Sequence, residues 1–157
     1  MTGTARTDTV ARLLADRPMP EEAPATIRGV ATAEALEDFC LGCVSRAIDD
    51  REINLQKRSE VFFQISGAGH EALLLGLARH LRPAYDWFFP YYRDLALVLG
   101  LGVTPYEVLL PALGSAEDPA SGGRQMPAHW GSARLNIVTQ SIPTGGQRLP
   151  GVGCSRA

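Results

Sequence analysis

Apolar side chains recur at helical spacing in the region that follows residue 31. Steps of three and four residues connect one set of apolar positions, which would form a single stripe on a helix: Leu36, Phe39, Cys40, Cys43, Val44, Ala47 and Ile48. Thr32 is a suitable N-cap residue, and Glu34 follows it near the positive end of the helix dipole. The pattern therefore predicts a long helix from Thr32 to about Gln56.

Further helices are predicted from apolar runs and start signals in four segments, namely residues 69–82, 91–102, 104–114 and those from 149 onward. Residues 73–81 are apolar on nearly every face, so we expect this helix to be buried before Pro83 ends it. Thr104 and Glu107 form a capping box, with Pro105 at the first helical position. The capping box is a strong local signal for a helix start.

The remaining segments show little periodicity. Residues 61–65 could be extended, and they lead into the glycine-rich loop 66–69, where the backbone can approach another segment closely. Residues 115–133 have no periodicity, and a loop of this length in a compact domain is usually functional or disordered. Residues 134–139 could form a short strand, and residues 143–146 are typical of a tight turn.

Composition limits the class of protein. The 157 residues suit one domain, assigned to residues 32–157, with residues 1–31 predicted to be a mobile tail. A net charge of -2 gives no electrostatic reason to expect nucleic acid or an anionic membrane as a partner. No apolar run reaches the roughly 18 residues that a membrane span needs. Three cysteines do not make a disulfide framework, which favours a cytoplasmic location.

The first candidate for chemistry is the pair Tyr92 and Arg93. A guanidinium group offers a planar fork of N–H donors that matches two oxygens of one phosphate, and a phenol adds a hydroxyl donor. A purely structural interpretation is also open, in which Arg93 pairs with Asp94 or Asp86 and the tyrosine fills an edge of the core. These residues alone favour the structural interpretation.

Two later loops are the other candidates. His129 lies in residues 122–131, a stretch rich in Gly and Pro, and its imidazole could exchange a proton near neutral pH. The alternative is a histidine that simply bonds to the backbone of an ordered loop. The residues of the second loop, 141–147, would by themselves indicate a plain turn.

Together these segments carry a likeness to a known family. Residues 89–94, 122–131 and 141–147 resemble segments in the alpha subunit of the thiamine diphosphate-dependent 2-oxo acid dehydrogenases, most closely the branched-chain type. Residues 67–72 are similar to a helix start in the same family. The resemblance runs from about residue 34 to 153. It implies a mostly helical, N-terminal portion of an α/β thiamine-diphosphate-binding fold, with the sheet largely missing.

The resemblance also implies roles for individual residues. Tyr92 and Arg93 match positions that contact the cofactor's diphosphate, and His129 matches a loop on the substrate side. The backbone of Ile142 and Thr144 would lie near the cofactor. A segment that binds a monovalent cation in some members is matched at Ser141, Pro143 and Gln147. Two hydroxyl-bearing residues of that segment are replaced here.

The activity implied by the resemblance is oxidative decarboxylation of a 2-oxoisovalerate-type acid, with transfer of the acyl group to a lipoyl carrier. Thiamine diphosphate with magnesium would be the cofactor. A beta subunit or beta-like domain, the lipoyl acyltransferase component and a small 2-oxo acid would be the partners. The family's Gly-Asp-Gly magnesium motif does not occur in the chain, so we expect no magnesium ligand here and no turnover by this chain alone.

Three alternatives stay open at this point. The chain could be a truncated, non-catalytic piece that binds a partner without turnover. It could instead resemble an alpha subunit of the pyruvate or acetoin dehydrogenase type. A helical phosphate-binding module unrelated to the family is the third possibility, and it depends only on Arg93 and the helix starts.

Overall fold

The computed structural model describes residues 24–141 and 143–157. These residues contain a two-stranded antiparallel hairpin, five α-helices and one short 3-10 helix, in the order β1 (Thr26–Ile27), β2 (Val30–Ala31), α1 (Thr32–Lys57), α2 (Glu71–Ala78), α3 (Leu95–Leu101), α4 (Pro105–Ala112), the 3-10 helix Ala133–Leu135, and α5 (Arg148–Arg156). The mostly helical fold expected from the sequence is confirmed for the described residues, and so is the scarcity of sheet.

The hairpin precedes α1. Its turn consists of Arg28 and Gly29, which both have positive φ angles of 49° and 85°. Positive φ at both central residues is characteristic of the type I′ turn, one of the two common two-residue hairpin turns. Residues 24–31, assigned from the sequence to the tail, thus form local structure. Residues 1–23 lie outside the described residues, and the domain boundary at residue 32 stays a prediction.

Helix α1 spans the predicted residues, but two details of its prediction are wrong. Ala31 is the N-cap, and the Thr32 hydroxyl donates to the carbonyl of Pro24 instead of capping the helix. The buried face is also rotated from the apolar stripe, since Phe39 and Cys43 are exposed. The buried residues of α1 comprise three polar ones (Ser45, Asp49 and Glu52) and three apolar ones (Leu41, Ile48 and Leu55).

Helix α2 packs antiparallel against α1, as an ion pair near each end of α2 shows, one of them from the C-cap residue Arg79. Arg79 Nε lies 2.6 Å from Asp38 Oδ2, and Arg46 Nη2 lies 2.7 Å from Glu71 Oε1. The prediction that α2 is buried on all sides is wrong for the described residues, because the side chain of Leu73 is 77% exposed. Only one face of the helix is covered by α1 and α3.

Helix α3 lies at the centre of the core, and all of its residues are buried. It begins later than predicted, because residues 91–94 form a turn in which Asp94 N donates to Tyr91 O at 2.9 Å. The Asp94 carboxylate accepts in return from Tyr91 N at 2.8 Å. Tyr92 and Arg93 consequently lie in the turn that leads into α3 and outside any helix.

The capping box that begins α4 is confirmed. Glu107 N donates to Thr104 Oγ1 at 3.2 Å, and Thr104 N donates to Glu107 Oε2 at 2.8 Å. The strand predicted for residues 134–139 is wrong, because Asn136 has a φ of 56° and ends the 3-10 turn there. What remains is a pair of isolated bridges from Ile137, a parallel one to Phe88 and an antiparallel one to Ser132.

Candidate functional site

Segments that are distant in sequence meet around a cleft of about 560 Å³. This volume is in the range of small-molecule sites. The lining includes four residues singled out from the sequence, Tyr92, Arg93, Thr144 and His129, together with Phe63, Gln64, Ile65, Ser66 and Met126. The structure therefore brings the strongest sequence candidates into one place.

Arg93 is held by a backbone carbonyl. Its Nη1 donates to the carbonyl oxygen of Ser66 at 2.6 Å, and its guanidinium carbon lies 5.7 Å from the centre of the Tyr92 ring. Among the described residues, no carboxylate forms an ion pair with Arg93. Asp94 caps its own turn, and Asp86 accepts from Arg82 N. The ion-pair interpretation of Arg93 is therefore wrong, and its other N–H groups can serve a ligand.

Tyr92 presents its hydroxyl to the same cleft. The hydroxyl lies 3.3 Å from Thr144 Oγ1, and the ring stacks on Tyr91 with a centroid separation of 3.9 Å. The hydrogen bond with Thr144, followed by that with Tyr91, lowers the pKa of Tyr92, and the charge of Arg93 acts in the same direction. A more acidic phenol is a stronger hydrogen-bond donor to an anion.

His129 is buried at the inner side of the cleft. Its Nδ1 lies 3.0 Å from the carbonyl oxygen of Pro127, which can only accept, so Nδ1 is the donor of this hydrogen bond. The buried Nε2 has no hydrogen-bond partner among the described residues. Buried polar atoms normally have a partner, so the unpaired Nε2 is an exception that needs an explanation. The neighbouring Ala128 has a φ of 62°, an uncommon conformation for a residue with a Cβ.

The aperiodic loop that carries His129 is organised by Asp118. The buried carboxylate accepts from Ala120 N at 2.9 Å, from Ser121 Oγ at 2.6 Å and from Gly123 N at 3.3 Å. A Cβ at Gly123 would approach Gly114 O to 2.4 Å, so only glycine fits there. Asp118 was not among the residues predicted from the sequence, although Asp before Pro, Ser and Gly is a known signal for such turns.

The third predicted segment lies next to the cleft. The tight turn at 143–146 is confirmed by the bond from Gly146 N to Pro143 O at 3.0 Å. Thr144 reaches the cleft through its side chain, while Ile142 lies outside the described residues. The three candidate cation ligands line a separate cavity of about 10 Å³ behind Tyr92: Ser141, Pro143 and Gln147. Their role in binding a cation stays a prediction.

Neither the cleft lining nor the rest of the described chain offers a metal centre. No carboxylate lines the cleft, and the described residues contain no group of three or more His, Cys, Asp or Glu that could hold a metal ion. Among the described helices, none combines the length and the apolar character that crossing a membrane requires.

One wall of the cleft, residues 63–66, was not predicted from the sequence, where residues 61–65 indicated only a stretch that could be extended. This wall ends at Ser66, and both Ser66 and Gly67 donate to the buried Asp49. The close backbone approach predicted for loop 66–69 is confirmed at Gly67, where a Cβ would lie 2.8 Å from Arg93 O.

Comparison with known proteins gives consistent matches. A family model described as the dehydrogenase E1 component matches residues 41–157. The 2-oxoisovalerate dehydrogenase subunit alpha of Bacillus subtilis (strain 168) is 37% identical over 82% of this chain. The 3-methyl-2-oxobutanoate dehydrogenase subunit alpha of Mycobacterium tuberculosis (strain ATCC 25618 / H37Rv) is 32% identical over 73% of it.

A mitochondrial plant protein is also similar. The 2-oxoisovalerate dehydrogenase subunit alpha 1 of Arabidopsis thaliana is 36% identical over 64% of the chain. The matched region spans only 39% of the Bacillus protein, 28% of the Mycobacterium protein and 21% of the Arabidopsis protein.

Proposed function

The chain belongs to the dehydrogenase E1 component family, and we propose that it acts as part of the alpha subunit of a branched-chain 2-oxo acid dehydrogenase. The observation that carries this proposal is the cleft in which Tyr92, Arg93, His129 and Thr144 meet. The names of the relatives support the same substrate class, because 2-oxoisovalerate and 3-methyl-2-oxobutanoate are one compound.

The donor set of the cleft suits a diphosphate. Arg93 supplies a delocalised cation with a fork of N–H donors, and Tyr92 and Thr144 add hydroxyl groups at the same rim. We assign these groups to the diphosphate of thiamine diphosphate. A magnesium ion that accompanies the diphosphate would find no carboxylate ligand in the cleft lining. We therefore assign no step to the metal.

The inner part of the cleft suits a branched aliphatic acid. Phe63, Ile65 and Met126 provide apolar surface beside His129, and small-molecule sites commonly combine such surface with a few polar groups. His129 Nε2 would accept a hydrogen bond from a substrate hydroxyl, while the bond from Nδ1 to Pro127 O fixes the tautomer and the ring orientation.

When bound, the cofactor supplies the carbon nucleophile for the 2-oxo group of the acid. The residues of this chain bind the diphosphate, orient the substrate and offer a proton acceptor at His129 Nε2. Oxidative decarboxylation with acyl transfer to a lipoyl carrier is the activity we propose for the whole enzyme. A beta subunit and a lipoyl acyltransferase are its partners in this proposal, and a cytoplasmic location belongs to it as well.

Calorimetric titration tests the proposal through the cofactor. The chain is titrated with thiamine diphosphate, with thiamine, and with thiamine diphosphate in excess EDTA. We expect the diphosphate to bind at least about tenfold more tightly than thiamine, because only the diphosphate engages Arg93. Equal affinity for thiamine and its diphosphate would contradict the assignment of Arg93 and Tyr92. The EDTA titration shows how much of the affinity depends on the metal.

A further inference from the structure

A buried carboxylate lies behind the cleft wall. Asp49 is on the inner face of α1, and only 1% of its surface is exposed. Among the described residues, no cation forms an ion pair with it. Burying a carboxylate without a counter-ion is costly, so such a group is kept where its hydrogen bonds are needed. Burial raises the pKa of Asp49, and its hydrogen bonds with Ser66 and Gly67 oppose that rise.

Among the described residues, the hydrogen-bond donors to the Asp49 carboxylate come from one short segment. Ser66 Oγ donates to Asp49 Oδ2 at 2.7 Å, and Gly67 N donates to the same oxygen at 3.1 Å. Ser66 Oγ also accepts from Ala68 N at 3.1 Å. The carboxylate thus fixes both the backbone and the side chain at the point where the cleft wall turns into the loop.

The same segment contacts Arg93 at two places. The Ser66 carbonyl oxygen accepts from Arg93 Nη1, and Gly67 packs so closely on the Arg93 carbonyl that a Cβ would lie 2.8 Å from its oxygen. Any shift of residues 66 and 67 would therefore move the side chain and the backbone of Arg93 together. The buried Asp49 carboxylate holds residues 66 and 67 in place through the hydrogen bonds that it accepts from them.

We propose that Asp49 is a positioning residue for Arg93, and that it acts through Ser66 and Gly67 to aim the guanidinium into the cleft. The inference depends on the proposed function in taking Arg93 as the anion-binding group. Asp49 itself does not line the cleft. Its effect on a ligand must therefore pass through the residues that it holds, namely Ser66 in the cleft wall and, through Ser66 and Gly67, Arg93.

The test uses Asp49→Asn, which keeps the shape of the side chain but removes the charge and one acceptor oxygen. The matched control is Asp50→Asn, because Asp50 is the next residue on α1 and is exposed. The ligand-free measurement is the NMR signal of the Arg93 guanidinium, assigned by its loss in Arg93→Lys. We expect a resolved, slowly exchanging signal in the parent chain and in Asp50→Asn, and an averaged signal in Asp49→Asn.

The second measurement is the calorimetric affinity for inorganic pyrophosphate in a double-mutant cycle. Asp49→Asn should weaken binding about tenfold in the parent chain, as expected for a lost charge-assisted contact. In the Arg93→Ala background the same change should weaken binding less than about twofold. A merely structural role would instead weaken binding equally in both backgrounds.

The outcomes separate the two proposals. A guanidinium signal that is unchanged in Asp49→Asn would overturn the positioning role, whatever the affinity. If the parent chain does not bind pyrophosphate, the proposed cofactor site fails, and the guanidinium signal still decides the role of Asp49. If Asp49→Asn does not fold, Ser66→Ala replaces it, because that change removes only the hydroxyl that donates to Asp49. The same averaging of the Arg93 signal is then expected.

Discussion

Helix α3 and the part of the cleft rim that directly precedes it in the chain, Tyr92 and Arg93, are stabilised in different ways. Every residue of α3 is buried and apolar or glycine, whereas the rim residues Tyr92 and Arg93 are at least partly exposed and are held by hydrogen bonds. Only one residue, Asp94, separates Arg93 from the first residue of α3. The apolar helix therefore anchors one end of the polar rim.

Because of this difference, we expect the stability of the fold and its affinity for a ligand to depend on different residues. Changes in α3 should lower the free energy of unfolding and reach the cleft only through global loss of structure. Changes at the rim should alter ligand affinity with little effect on unfolding. The inner face of α1 lies between these two cases, because Asp49 and Glu52 are buried in the folded chain yet carry ionisable groups.

The largest expected effect is on α3. Leu99→Ala removes a side chain that is 2% exposed, and we expect a loss of about 3 kcal/mol in the free energy of unfolding, since such changes leave a cavity. Leu73→Ala is the matched control on the exposed face of α2 and should cost less than about 0.5 kcal/mol. Urea unfolding measures both, and equal losses would contradict the core assignment.

The next effect concerns Glu52 and pH. Burial, and then the charge of Asp49, raise the pKa of Glu52 from an ordinary 4.5 to about 7. Between these values the folded chain keeps a proton that the unfolded chain has released, so stability falls as pH rises through this window. The full loss is about 3 kcal/mol.

Glu52→Gln should remove most of this slope, because glutamine does not titrate. Urea midpoints at pH 5, 6, 7 and 8 measure the slope in both chains. Glu60→Gln, at an exposed glutamate, is the control that should leave the slope as it is in the parent chain. A parent chain whose stability does not change between pH 5 and 7 would show that Glu52 is solvated.

The smallest of the three effects is confined to the ligand. Arg93→Ala should weaken thiamine diphosphate binding by about 2–3 kcal/mol, as expected for a charge-assisted contact. The change should lower the free energy of unfolding by less than about 1 kcal/mol, because Arg93 is exposed and makes no ion pair among the described residues.

Arg156→Ala, at an exposed arginine in the last helix, is the control for the loss of one positive charge. It should leave the affinity unchanged. If Arg93→Ala changes the affinity less than threefold, Arg93 does not bind the diphosphate.

Local signals predicted much of the helical fold. The capping box at Thr104 lies within a few neighbouring residues, and it is formed as expected. The strand predicted at 134–139 failed because a positive φ at Asn136 ends the local turn, which no apolar count reveals. The start of α3 was misplaced because the Asp94 carboxylate binds Tyr91 N and closes a turn instead.

The buried face of α1 was the main feature that the sequence concealed. Apolar spacing pointed to Phe39 and Cys43, whereas the structure buries Ser45, Asp49 and Glu52. The burial of Asp49 depends on residues 66 and 67, which are far along the chain, so local periodicity could not reveal it. The gathering of Tyr92, Arg93, His129 and Thr144 was expected only from the family resemblance, and their roles stay predictions.

The central claim is that Arg93 and Tyr92 form a diphosphate site, and a crystal structure of the chain with thiamine diphosphate tests it most directly. We predict that the diphosphate oxygens lie within hydrogen-bond distance of the Arg93 guanidinium and the Tyr92 hydroxyl. The Ser66 carbonyl should still accept from Arg93 Nη1. A diphosphate bound elsewhere, with no contact to Arg93, would contradict the account.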